Sequence, residues 1–162
     1  MTSEEQKNAR RKAMHLLEVM SRTEKGLSDR LRQAGFSEEA VIDAVEYVKS
    51  YGYIDDQRYA YSYLSGSADY KSKRKMFQEL QRKGVSGEII SNVWEEFQEI
   101  NDISEREVLK KTILKKCEPE SELSEKEMRR LYGFLARRGF AFEDISAVLN
   151  ELKIKQQPVR LW

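Results

Sequence analysis

Two adjacent carboxylates, a lone imidazole, a lone thiol and several pairs of cations are the residues of this 162-residue chain that could do chemistry. Asp55 and Asp56 stand side by side. Paired carboxylates can serve acid–base catalysis or hold a divalent cation, but both uses need further converging groups, and the sequence offers none. The structural alternative is that one Asp caps the helix that follows and the other favours the positive end of its dipole. That is the expectation for both. His15 is the only histidine. It cannot form a triad without a nucleophile held beside it, nor a zinc site without more N or S ligands. Cys117, the only cysteine, has no CxxC partner and can form no disulfide within the chain. It reads as a small apolar residue closing a helix. No glycine-rich phosphate loop and no nucleophile elbow occurs. The chain is therefore expected not to be an enzyme and to carry no cofactor and no metal.

What remains is positive charge, and its distribution rather than its total. Basic and acidic side chains number 29 and 28, a net charge of +1, which argues neither for nor against nucleic acid. Cations cluster at Arg10-Arg11-Lys12, Lys71 with Lys73-Arg74-Lys75, Arg82-Lys83, Lys110-Lys111, Lys115-Lys116, Arg129-Arg130 and Arg137-Arg138. Any one cluster reads equally well as a solvated helix face. Arg82-Lys83 and Arg137-Arg138, however, immediately precede Gly84 and Gly139, whereas Gln33-Ala34 precede Gly35. Cations there also suit a helix C-terminus, but the first copy shows that the fold does not require them. Lys73, Arg74, Lys75, Arg82, Lys83, Arg129, Arg130, Arg137 and Arg138 are thus expected to line a surface for acidic protein groups or DNA phosphates. Tyr61 and Tyr70 could stack on bases or pack between helices. Tyr51 and Tyr53 are expected to pack between the first two units.

The elements that position these residues repeat. Eight and four residues before Gly35, Gly84 and Gly139 stand Leu27 and Leu31, Met76 and Leu80, Leu131 and Leu135. One residue after come Phe36, Val85 and Phe140. Six, ten and thirteen after come Val41, Val45 and Val48; Ile90, Trp94 and Phe97; Ile145, Leu149 and Leu152. Every site is apolar in a chain only 40% hydrophobic, so chance does not explain the pattern. Spacings of four on the near side put two side chains on one helical face. The glycine then ends that helix in the left-handed conformation, with the next residue packing back five positions: Phe36 on Leu31, Val85 on Leu80, Phe140 on Leu135. A new helix follows, with Ser37 and Ser86 as caps and Glu38, Glu39, Glu88, Glu143 and Asp144 near its positive end.

A further helix precedes each pair. It is expected near Asn8–Met20 with Ala13, Leu16, Leu17 and Met20 inward; near Asp56–Ala68 with Tyr59, Ala60, Tyr63 and Leu64 inward; and near Ser104–Cys117 with Val108, Leu109 and Ile113 inward. Ser124-Glu125-Lys126-Glu127 is a capping box, and Thr23-Glu24 opens the matching helix of the first unit. The fold class is therefore all-α: three tandem three-helix units over roughly 8–53, 54–101 and 102–154, with 1–7 and 155–162 as tails. One triplet buries too little to stand alone, so an elongated, curved array is expected. Only 8 Gly and 2 Pro interrupt the helices. Met1 to Arg11 is polar, and no apolar run nears the ~20 residues of a membrane span. The expectation is a soluble monomer of a reducing cytoplasm, with no membrane partner.

Gly52-Tyr53-Ile54-Asp55-Asp56-Gln57-Arg58-Tyr59-Ala60 resembles the GY-[LI]-DD-x-[RK]-[FY]-A signature of the RecX family, bacterial regulators of the RecA recombinase. Thr23-Glu24-Lys25-Gly26-Leu27 with Arg30-Leu31 is similar to the family's SE-x-EL-x-x-KL segment, with Gly26 at a usually acidic position. Glu79-Leu80-Gln81-Arg82-Lys83-Gly84-Val85 is similar to EL-x-x-KGI, and Phe134-Leu135-Ala136-Arg137-Arg138-Gly139-Phe140 to FL-x-x-RGF. Ser72-Lys73 stand where family members often have Gly-Pro, and Glu118 to Glu122 form a longer acidic connection. The resemblance spans about residues 10 to 153. It implies a non-enzymatic, negative modulator that binds the RecA–DNA filament in its groove and touches single- or double-stranded DNA weakly or through the filament. It implies effects on recombination, DNA repair and the SOS response. The alternatives are an independent DNA-binding protein with helix-turn-helix-like units, or a scaffold for another protein. Against the first, the third helix of each unit is acid-rich, unlike a recognition helix.

Overall fold

The computed structural model describes residues 2–158. Among these, nine α-helices follow the repeating pattern, and the third triplet adds a short two-stranded pairing. The first triplet is α1 (Glu4–Val19), α2 (Glu24–Gln33) and α3 (Glu38–Ser50). The second is α4 (Asp56–Ser67), α5 (Lys73–Arg82) and α6 (Gly87–Ile100). The third is α7 (Glu105–Leu114), α8 (Glu125–Arg137) and α9 (Phe142–Glu151), with β1 (Glu122–Leu123) and β2 (Lys155–Gln156) pairing in parallel.

The helix starts are built from side chains that occupy the orphan N–H groups of a first turn. Thr23, Ser37, Ser104 and Ser124 accept from the N–H groups of Gly26, Ala40, Glu107 and Glu127, and Ser86 accepts from Ile89. Ser124 and Glu127 close a full capping box. So do Ser3 and Gln6, which start α1 at Glu4 and draw most of the expected first tail into a helix. That helix stops at Val19, and Met20, expected inward, is 56% exposed. Ala9, one turn before Ala13, is buried in its stead. α7 ends at Leu114, three residues short of Cys117, which lies half-buried beyond it.

The three glycines end α2, α5 and α8 at φ of 94°, 95° and 92°. The N–H groups of Phe36, Val85 and Phe140 donate to the carbonyls of Leu31, Leu80 and Leu135 at 3.3, 3.0 and 3.2 Å, the bond that defines a Schellman ending. The same bond joins Tyr53 to Val48 after Gly52, and Ile154 to Leu149 after Lys153. Lys153 adopts the left-handed conformation, φ 57°, without being glycine.

Of the eighteen apolar sites spaced from the glycines, all but the half-buried Phe36 are buried. Fully burying one such Leu contributes roughly 1.5–3 kcal/mol. The described residues divide into two compact units: those up to 64 with 78–97, and 65–77 with those from 98 onward. In the first, α1 packs on α3 through small residues, Ala9 and Ala13 with Ala40 and Ala44, that let the backbones approach closely. Arg10 clamps this packing with a two-pronged ion pair to Asp43, 2.8 and 2.9 Å. In the second unit, α7, α8 and α9 enclose Leu109, Ile113, Leu131, Leu135, Phe140, Ile145 and Leu149. Ile154 is buried there, and the N–H groups of Lys155 and Gln157 donate to the carbonyls of Ser121 and Leu123. Residues 155–157, expected as the start of a tail, are thereby tied to the loop before α8. Pro158 lies just beyond this bridge, and Trp162 lies outside the described residues.

Candidate functional site

The adjacent carboxylates do separate structural jobs. Asp55 caps α4, accepting from the N–H of Arg58 at 3.1 Å. Asp56, in the first turn of α4 where its charge favours the dipole, also accepts from the N–H of Glu24 at 2.9 Å, at the start of α2. Burial pushes the Asp56 carboxyl above its ordinary value, and the Glu24 N–H bond opposes that push. Among the described residues no group of three or more His, Cys, Asp or Glu could hold a metal ion. His15 is exposed. Burial pushes the Cys117 thiol up, away from the reactive thiolate.

The basic pairs before Gly84 and Gly139 sit at junctions where one helix ends on the start of another. In the first unit the buried Thr23 hydroxyl, the N-cap of α2, donates to the carbonyl of Lys83 at the end of α5. In the second the N–H of the buried Ser72, the N-cap of α5, donates to the carbonyl of Arg138 at 3.0 Å, at the end of α8. In both places the negative end of one helix dipole meets the positive end of another. A side chain on Gly84 would overlap Lys25, and one on Gly139 would overlap Ser72 and Lys75. Around Gly35 there is open space. The first copy's glycine thus answers only a backbone requirement, whereas the other two also permit the close approach.

The expected binding residues divide between the two units. Arg82 and Lys83 lie exposed in the first. Lys73, Arg74, Lys75, Arg129, Arg130, Arg137 and Arg138 lie in the second. There the junction draws Arg74 to the Gly139 carbonyl, 3.2 Å. Arg137 is exposed, its guanidinium reaching back over Gly133, where a side chain would touch it at 3.3 Å. Arg129 pairs with Glu125 at 3.4 Å on an exposed helix face, a type of pair worth little. Arg138 is half-buried, its guanidinium carbon 4.9 Å from the Tyr70 ring and 4.4 Å from the Phe134 ring.

The aromatic expectations are changed. Tyr51 and Tyr53 are exposed, 62% and 49%, and stack on each other at 5.9 Å. Tyr47 meets Tyr51 edge-on at 5.2 Å, with Arg10 over its face. Tyr61 meets Phe97 edge-on at 5.6 Å. Tyr70 carries Arg138 and Lys71 against its ring in place of a free face for a base. The grouping of Tyr70 with Lys115, Lys116, Phe134 and Arg138 was not foreseen, since its members lie up to 68 residues apart.

Three family models match the chain: the first three-helix domain of RecX over residues 9–47, the second over 55–93 and the third over 104–149. The Regulatory protein RecX of Caldanaerobacter subterraneus subsp. tengcongensis is 35% identical over 147 residues, 90% of this chain and 71% of that protein. Its counterpart in Bacillus licheniformis is 31% identical over 144 residues, 87% of this chain and 54% of that protein. A crystal structure of RecX from Lactobacillus salivarius superposes with a TM-score of 0.59 at 19% identity, covering 92% of this chain and 97% of that one. A second crystal structure of regulatory protein RecX gives 0.65 at 23% identity, covering 94% and 73%. These two likenesses concern the fold, an all-α array of tandem three-helix units.

Proposed function

The chain belongs to the RecX family, and on that premise we propose that it is a non-enzymatic, negative modulator of the RecA recombinase. It acts in the cytoplasm as a monomer, binding the groove of the RecA–DNA filament and damping recombination, DNA repair and the SOS response. The observation that carries this reading is the family match across all three units. The exposed cations Arg82 and Lys83 in one unit, and Arg137 in the other with Lys73, Arg74, Lys75, Arg129, Arg130 and Arg138, supply a rationale for binding through each unit. A filament of protein on DNA presents carboxylates and phosphates that such charges attract.

Reading of the DNA major groove by independent helix-turn-helix units fits less well. The third helices open on Glu38-Glu39, Glu88 and Glu143-Asp144, charges that phosphates repel. The test is RecA-driven strand exchange and DNA-dependent ATP turnover with the chain added below RecA's own concentration. Both are expected to fall. Unchanged rates at saturating amounts would overturn the reading.

A further inference from the structure

A cavity of about 450 Å³ in the second unit is lined by Tyr70, Thr112, Lys115, Lys116, Phe134 and Arg138. Three of these six are cations and none is a carboxylate. The cations and rings alternate. The Lys116 ammonium lies 4.2 Å from the Phe134 ring, and the Arg138 guanidinium 4.4 Å from Phe134 and 4.9 Å from Tyr70. The Lys71 ammonium follows at 5.5 Å from Tyr70.

Ring faces attract cations through their quadrupole, about 0.5–1 kcal/mol each at an exposed site, so the rings hold like charges close together. They do not neutralise them. Elsewhere in this unit cations meet carboxylates: Arg106 and Lys110 on α7 both pair with Glu151, at 2.7 and 3.4 Å. Lys115, Lys116 and Arg138 make no such pair among the described residues. Thr112 is turned to the Val108 carbonyl, 2.7 Å. Arg138 gives one N–H to the Tyr70 carbonyl at 3.5 Å, which leaves other N–H donors of its guanidinium for an acceptor.

We infer that this cavity is a binding site for the phosphate backbone of single-stranded nucleic acid, with Lys115, Lys116 and Arg138 facing successive phosphates. A strand carries a charge at every nucleotide, as a row of unneutralised cations requires, and an unpaired strand bends into a concave wall that a duplex bridges. Because cations cover the ring faces, the contact is to phosphates and not to stacked bases, and it is indifferent to sequence. So few charges give weak, strongly salt-dependent binding. The choice of nucleic acid over an acidic polypeptide rests on the proposed function; the cavity and its charge do not.

The test measures anisotropy of labelled oligothymidylate with the full chain between 50 and 200 mM salt. It compares the wild type, Lys115→Ala/Lys116→Ala, and Lys7→Ala/Lys12→Ala as a control of equal charge. Both lysine pairs are exposed, and helicity is checked by circular dichroism. The cavity variant is expected to flatten the log–log salt slope by roughly 1.4, two phosphates at about 0.7 each, while the control falls less. Tyr70→Phe keeps the ring and should bind as the wild type does. Equal loss in the control, or an unchanged slope, would overturn the site. So would polyglutamate displacing the strand at equal charge concentration, since the occupant would then be an acidic polypeptide. Filament binding measured beside it separates the two ideas. A cavity variant that still binds filaments but shows no altered slope removes this site and leaves the regulator standing.

Discussion

The Thr23 hydroxyl donates to the carbonyl of Lys83 across 60 residues of sequence, so that α5 ends where α2 begins. Ser72 and Arg138 repeat the relationship in the second unit. Thr23 also caps Gly26 at 3.0 Å and is 3% exposed. Thr23→Val keeps the shape and removes both bonds. A loss of roughly 1–3 kcal/mol in urea unfolding is expected, because the Lys83 carbonyl and a helix N–H lose the buried hydroxyl that pairs them. No loss would show that water replaces the hydroxyl at the junction.

The glycine that ends each middle helix offers a graded test. Gly35→Ala meets only the left-handed penalty, roughly 1–2 kcal/mol, since nothing lies nearby. Gly84→Ala and Gly139→Ala add overlap with Lys25 or with Ser72 and Lys75, and should cost roughly 2–4 kcal/mol. Equal costs at all three positions would contradict the end-to-end junctions.

Lys153 holds a glycine's conformation at the end of α9. Lys153→Gly is expected to raise stability by roughly 0.5–1 kcal/mol, since it relieves a left-handed residue that no side-chain bond rewards. Thermal unfolding reads this directly, and a lowered midpoint would count against it.

Asp56 gives a pH signature. Its folded carboxyl titrates above its usual 3.8 because of burial, so the folded state holds a proton that the unfolded state has already released. Stability is then lost as pH rises through the window that opens near that ordinary value. Asp56→Asn keeps an acceptor for Glu24 and carries no charge. It should match or exceed the wild type at pH 7, with its advantage shrinking as pH falls toward 4. Asp56→Ala lacks the acceptor and should lose about 1 kcal/mol. If Asn costs as much as Ala at neutral pH, the charge itself is needed.

What could be read from the residues follows from range. The glycine endings, their apolar offsets and the serine caps are local, and each depends on neighbours within about two turns. The Ser3–Gln6 box was equally local, but the polar start of the chain disguised it as a tail. Asp56 stands in the first turn of α4 as its position suggests, but its bond to Glu24, 32 residues away on another helix, leaves no local mark. Tyr51 and Tyr53 were expected to pack between the first two units because aromatics usually bury their rings, yet they stack with each other and stay exposed. Arg138 was expected on a surface with Arg137. One residue of helical rotation separates an exposed cation from one held between two rings.

The most direct test of the central claim compares binding of the chain to RecA-coated single-stranded DNA, bare single-stranded DNA and bare duplex across a salt series. The account predicts binding to the coated filament at least about tenfold tighter, or 1.4 kcal/mol, than to either bare form at 150 mM salt. It also predicts that Arg82→Glu/Arg137→Glu weakens the filament complex while helicity is retained. Equal affinity for coated and bare DNA with a steep salt slope would contradict it, and would mark the chain as a DNA-binding protein in its own right.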